Sequence, residues 1–115
     1  MMSKTVFQKI IDREVPAKIV RETDELLAFH DVAPKAPTHI LIIPKKPFAR
    51  IAEVPETEAA LLGKLLLAAA EIAREIGLDK SGFRLIINNG RDGGETVPHL
   101  HVHLLGGRAM QWPPG

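Results

Sequence analysis

Apolar residues recur at helical spacing near the start of the chain, where Val6, Phe7, Ile10 and Ile11 would line one face of a short helix. Ser3 is the predicted N-cap, the helix should reach about Glu14, and Pro16 ends it. Residues 17–22 and 26–30 then read as short strands around a Thr-Asp-Glu turn. A proline-broken segment leads to a strand over 39–43, whose unbroken apolar run predicts burial on both faces and which Pro44 stops. Residues 55–76 predict the principal helix, with Pro55 in its first turn, Gly77 at C′, and Leu62, Leu65, Leu66, Ala69, Ile72 and Ile76 along one side. About 22 helical residues span roughly 33 Å, enough to cover a sheet. Residues 83–88 and 97–105 read as strands of a hairpin joined by the glycine-rich turn 89–95. The tail, with Pro113 and Pro114, continues neither a helix nor a central strand. The expected class is α+β: an antiparallel sheet of about five strands with two helices packed on one face, in a single domain over 1–115.

Composition narrows the function without defining it. An apolar share of 45% and a charged share of 25% are those of a soluble globular protein. Fifteen Lys and Arg against fourteen Asp and Glu leave a charge of +1 with no basic stripe, which argues against a nucleic-acid partner. The absence of cysteine excludes disulfides, thiolate metal sites and a cysteine nucleophile. The N-terminal segment scatters its charges and does not read as a signal peptide. The longest apolar-rich stretch, 59–76, is broken by Lys64, Glu71, Arg74 and Glu75, so it predicts an amphipathic helix and no membrane span. The expectation is a cytoplasmic protein.

The distinctive chemistry lies in Pro98-His99-Leu100-His101-Val102-His103-Leu104. On a strand, the three histidines would share one face and the leucines and valine the other, with successive histidines about 6.5–7 Å apart at Cα. Three readings follow: a solvated polar face, a metal site, or chemistry on phosphorus. A metal site is weakened because His99 and His103 would lie about 13–14 Å apart, far for two ligands of one zinc ion, although a pair joined by His39 remains open. For phosphorus, a neutral imidazole is a competent nucleophile near pH 7, and a second can stabilise phosphoryl oxygens or protonate a leaving group. The turn Asn89-Gly90-Arg91-Asp92-Gly93-Gly94 either brings backbone N–H groups close to an anion or is a plain hairpin turn.

These residues resemble the histidine triad family. The resemblance runs from His99 to Leu105, into Gly106-Gly107-Arg108, and to the ending Gln111-Trp112-Pro113-Pro114-Gly115. Phe29-His30-Asp31, Ala36-Pro37-Thr38-His39 and Ile42-Ile43-Pro44-Lys45-Lys46 extend it across essentially the whole chain. The ending resembles the nucleotide-binding branch, whose members are purine nucleoside phosphoramidases. The resemblance implies His101 as nucleophile, forming a nucleotidyl-histidine, and His103 as the contact to phosphate oxygens. It places His99 and His39 behind them as orienting groups. Asn88, Gly94, Glu95 and Thr96 would lie at the phosphate. Asp31 would hold the ribose, as a two-oxygen acceptor can, while Phe7, Ile10, Phe29 and Val32 would form a purine slot; His30 is left as structural. It also implies a homodimer with a sheet continued across the interface and Trp112 near the partner's site. No cofactor is required; zinc is possible but not expected for catalysis.

Two residues depart from the branch: Thr96 stands where Ser is frequent, and Glu95 where Gln is common. A carboxylate repels phosphate, so Glu95 either turns away or tunes substrate choice. The expected activity is hydrolysis of phosphoramidates or aminoacyl-adenylates, releasing AMP or GMP. The alternatives are hydrolysis of dinucleoside polyphosphates, against which the WPPG ending argues, and a nucleotide-binding scaffold with little turnover.

Overall fold

The computed structural model describes residues 3–115. Helix α1 (Val6–Ile11) precedes strands β1 (Ile19–Glu22), β2 (Leu26–His30) and β3 (Thr38–Pro44). Helix α2 (Ala59–Glu75) and a four-residue helix α3 (Leu78–Ser81) follow, then β4 (Phe83–Ile86) and β5 (Val102–Gly106). The strands form one antiparallel sheet in the order β1-β2-β3-β5-β4. The α+β class and the five-stranded sheet are as expected, while α3 went unpredicted.

Alternation along the central strands makes two cores. Leu26 and Ala28 of β2 and Ile40 and Ile42 of β3 meet Leu65, Ala69 and Ile72 of α2 on one face. Their alternates Leu27, Phe29, Leu41 and Ile43 meet Phe7 and Ile10 of α1 on the other. The sheet is therefore covered on both faces by helices, where a single helical face was expected. The β3 run is buried on both faces as its sequence predicted.

Several boundaries differ for local reasons. Thr5, and not Ser3, caps α1 by accepting the Gln8 N–H at 3.1 Å. The helix stops at Ile11 because Arg13 takes a positive φ of 64°. In place of a helix from 55, Pro55 caps a 3-10 turn, Glu56–Glu58, and α2 proper starts at Ala59. Gly77 takes φ +83° at the end of α2, the left-handed geometry expected of a C′ residue. The buried side of α2 is Leu61, Leu65, Ala68, Ala69, Ile72 and Ala73, rotated from the predicted stripe, so Leu66 and Ile76 are exposed. Strands β4 and β5 pair as a hairpin would, but a fifteen-residue connection separates them and β5 begins only at Val102.

Candidate active site

The face of the sheet under α1 carries the imidazoles. Phe29, Leu41 and His103 are register partners across β2, β3 and β5, and so form one row on that face. His39 lies on the same face of β3, two residues from Leu41, and reaches His103 diagonally. His99 and His101 precede β5, yet their alternation with Leu100 and Val102 persists, because those apolar residues sit in the α2 core. The Leu100 N–H donates to the Phe48 carbonyl at 2.7 Å, fixing this irregular stretch. Phe7 of α1 closes over the cluster, its ring centroid 5.0 Å from that of His101 and 5.6 Å from that of Phe29, both edge-on.

Hydrogen bonds assign a tautomer to each ring. The Lys35 N–H donates to His39 Nδ1 at 3.1 Å, so the neutral His39 carries its proton on Nε2. That N–H donates to His103 Nδ1 at 2.8 Å, which leaves His103 with an Nε2–H. The Asp31 carboxylate, 3.4 Å from His39 Nε2, favours the same tautomer. His101 must donate from Nδ1 to the His99 carbonyl at 2.7 Å, so its Nε2 holds a lone pair. His99 donates from Nε2 to the Pro44 carbonyl at 2.9 Å. Neighbouring rings with centroids 4.8 Å apart thus differ chemically: His101 offers a bare nitrogen and His103 an N–H.

Burial keeps the supporting rings neutral. It pushes His103 down to about 4 from 6.5, helped by the nearby His101 and His39 and opposed by Asp31. His39 is lowered by the same burial, with Asp31 opposing. His99 is lowered by burial against the favourable Pro44 carbonyl.

A cleft of about 320 Å³ opens onto these groups. Of the residues singled out in the sequence, Phe7, Ile10, Phe29, Asp31, Val32, Thr96, His101 and His103 line it. Asp31 ends β2 and accepts the Ala33 N–H at 2.8 Å, and Val32 beside it is 94% exposed. His39 and His99 are buried and do not line it. Val6, Val15, Pro16, His30, Leu41 and Val97 also line it without having been singled out as site residues. The phase of β3 pointed to Leu41, which shares a face with His39, whereas the approach of Val15 and Pro16 depends on how the chain leaves α1.

The glycine-rich loop satisfies several of its own backbone donors. The Gly90 N–H donates to Glu95 Oε1 at 2.9 Å, and the Gly93, Gly94 and Glu95 N–H groups donate to carbonyls of Gly90, Arg91 and Gly90. These four donors are committed within the loop, so it is no ready-made anion cradle. Asn88 braces it by donating Nδ2 to the Gly93 carbonyl at 2.7 Å. Glu95 turns away from the cleft to Arg50, whose Nε and Nη2 donate to its two oxygens at 2.8 and 3.0 Å. That pairing, with the Gly90 N–H, holds the Glu95 carboxyl down at about 2. Trp112 is 83% exposed and lies outside the cleft.

An antiparallel α+β sheet with clustered, tautomerically distinct imidazoles in a cleft defines a histidine-based site. The chain belongs to the HIT family: the HIT domain model matches residues 12–110. A HIT-like protein of Synechococcus elongatus is 56% identical over the full length of both chains. The 14 kDa zinc-binding protein of Zea mays is 49% identical, covering 98% of this chain and 89% of its own. Among solved structures, a HIT family hydrolase from Legionella pneumophila superposes with a TM-score of 0.95 at 47% identity, over 97% of this chain and all of its own. The histidine triad nucleotide-binding protein of Candida albicans gives 0.82 at 30% identity, over 96% and 83%.

The maize relative's name raises the question of zinc. Among the described residues, Asp31, His39 and His103 offer ligand atoms within 4.8 Å of one another. Two nitrogens bound at 2.0–2.1 Å to a tetrahedral zinc lie roughly 3.3 Å apart. Here they are 2.8 Å apart and share a proton. As arranged, the trio does not fit zinc. Metal binding would have to open that hydrogen bond and turn the ring that now orients His103. Among the described residues no helix is long and apolar enough to cross a membrane.

Proposed function

We propose that this chain is a nucleotide hydrolase that cleaves purine nucleoside 5′-phosphoramidates, or aminoacyl-adenylates, through a nucleotidyl-histidine on His101. The observation that carries the reading is the tautomer pair: a bare Nε2 on His101 beside an Nε2–H on His103, in one cleft. The names of the Legionella and Candida relatives, a hydrolase and a nucleotide-binding protein, agree with it.

In this mechanism His101 Nε2 attacks phosphorus, the N–P bond forms, and the P–N bond to the leaving group breaks. The amine departs with a proton delivered through the Thr96 hydroxyl or water. The His99 carbonyl, accepting from Nδ1, stabilises the positive charge that develops on His101. His103 donates its Nε2–H to a phosphoryl oxygen, and His39 keeps that proton on the correct nitrogen. Water then attacks phosphorus, His101 is released, and AMP or GMP leaves. Asp31 takes the ribose hydroxyls, and the apolar wall of Phe7, Ile10, Phe29 and Val32 takes the purine. Asn88 and Gly94 shape the glycine-rich loop that leads into Thr96. The cleft volume is within the usual range for small-ligand sites.

The test is turnover of adenosine 5′-phosphoramidate with EDTA present. The wild-type protein should release AMP, and His101→Ala should lose at least about a thousandfold in kcat, as removal of a nucleophile does. AMP binding without turnover by the wild type would instead favour a nucleotide-binding scaffold. Activity that returns only with added zinc would overturn the metal-free mechanism.

A further inference from the structure

Glu95 poses a physical problem for a phosphate site. It is followed directly by Thr96, which lines the cleft together with His101 and His103. An unpaired anion here would repel the phosphate of any nucleotide. The side chain is only 11% exposed, so solvent screens it little.

Arg50 answers that problem. Its guanidinium grips both Glu95 oxygens in fork geometry, at 2.8 and 3.0 Å. Arg50 also pairs with Glu53, which is well exposed and screened by water. The Ala52 N–H donates to Asn89 Oδ1 at 2.8 Å, so the segment bearing Arg50 is tied to the loop bearing Glu95 at a second point.

We propose that Arg50 is a positioning residue for the phosphate subsite, acting through Glu95: it cancels the carboxylate's charge and turns it from the cleft. The residue touches no substrate. Its effect falls on ligands in proportion to their negative charge, which separates it from a merely structural brace. The inference rests on the nucleotide-hydrolase reading, since it needs a phosphate in the cleft.

Calorimetric titration of AMP and of adenosine, which lacks the phosphate, distinguishes the two. Arg50→Gln should weaken AMP about fivefold to tenfold, the effect of one unscreened charge several ångströms away, and leave adenosine affinity unchanged. Arg50→Gln combined with Glu95→Gln should restore AMP affinity to within about twofold, because the half-buried carboxylate is gone and the Glu53 carboxylate left behind is exposed and screened by water. Arg50→Lys, which keeps the cation and loses the fork, should bind AMP nearly as the wild type does. Unchanged adenosine affinity serves as the check that each variant is folded. The proposal is overturned if Arg50→Gln binds AMP normally, or if the double variant or Arg50→Lys stays as weak as Arg50→Gln. Failure of the wild type to bind AMP at all would sink the functional reading instead.

Discussion

Each supporting imidazole is buried as the neutral form, and this has a consequence for stability. His103 titrates at about 4 in the folded chain against 6.5 for a free imidazole. On acidification the unfolded chain therefore takes up the proton first, and stability is lost as the pH is lowered wherever the unfolded chain binds more protons. The loss should begin near pH 6.5, grow to about pH 4, and level off below; above pH 7 it is absent. His39 and His99, lowered by the same burial, add in the same direction. Urea denaturation between pH 7.5 and 4.5 should show this decline, with a shallower slope in His103→Asn. A flat profile, or an unchanged slope in the variant, would mean that the folded chain protonates these rings as readily as the unfolded one. The sequence displayed the alternation of His99, His101 and His103, but their tautomers were hidden in it. Those depend on the Pro44 carbonyl, 55 residues from His99, and on a His39 ring 64 residues from His103. Glu95 was flagged from its charge alone, while Arg50 went unnoticed because only folding brings the two side chains together.

The short helix α1 illustrates how an element can serve stability and site at once. Its six residues cannot persist alone, since isolated helices of that length do not form in water. Phe7 and Ile10 hold it to the sheet, and Phe7 also walls the cleft beside His101. Phe7→Ala should cost about 3 kcal/mol in urea denaturation, as large core truncations do, and should raise KM for a nucleotide more than it lowers kcat. Phe7→Leu should recover most of both. An unaltered KM in Phe7→Ala would remove α1 from the base-binding wall. Four of the six α1 residues are apolar, and of the predicted face the structure buries Phe7 and Ile10 while leaving Val6 45% exposed. Helix α2 misled for the same reason. Its run Ala59-Ala60-Leu61-Leu62, continued by Leu65-Leu66-Leu67-Ala68-Ala69-Ala70, is apolar nearly all round, so several phases compete. Packing against β3 and β5 chose Leu61, Ala68 and Ala73, and left Leu66 and Leu67 outside.

Those outward leucines are 42% and 64% exposed, and β4 is an edge strand of the sheet. The terminal tail follows that edge, for Arg84 of β4 donates to the Gln111 carbonyl at 2.8 Å. A sheet edge with unpaired backbone groups is a template for another strand, and a second copy of this chain is the proposed occupant. Light scattering should then give twice the 12.6 kDa of one chain, and Leu67→Glu should shift the mass toward the monomer. If Trp112 completes the partner's site, its loss is felt in trans. Trp112→Ala and His101→Ala would each be defective alone, but a mixed dimer would contain one intact site, with His101 from one subunit and Trp112 from the other. After subunit exchange of equal amounts, about a quarter of all sites should regain full turnover, the statistical share for a two-fold dimer. A mixture no more active than the mean of its two parents would show that Trp112 acts, if at all, within its own chain. A persistent monomer mass would remove the shared site altogether and leave each cleft to work with the residues of its own fold.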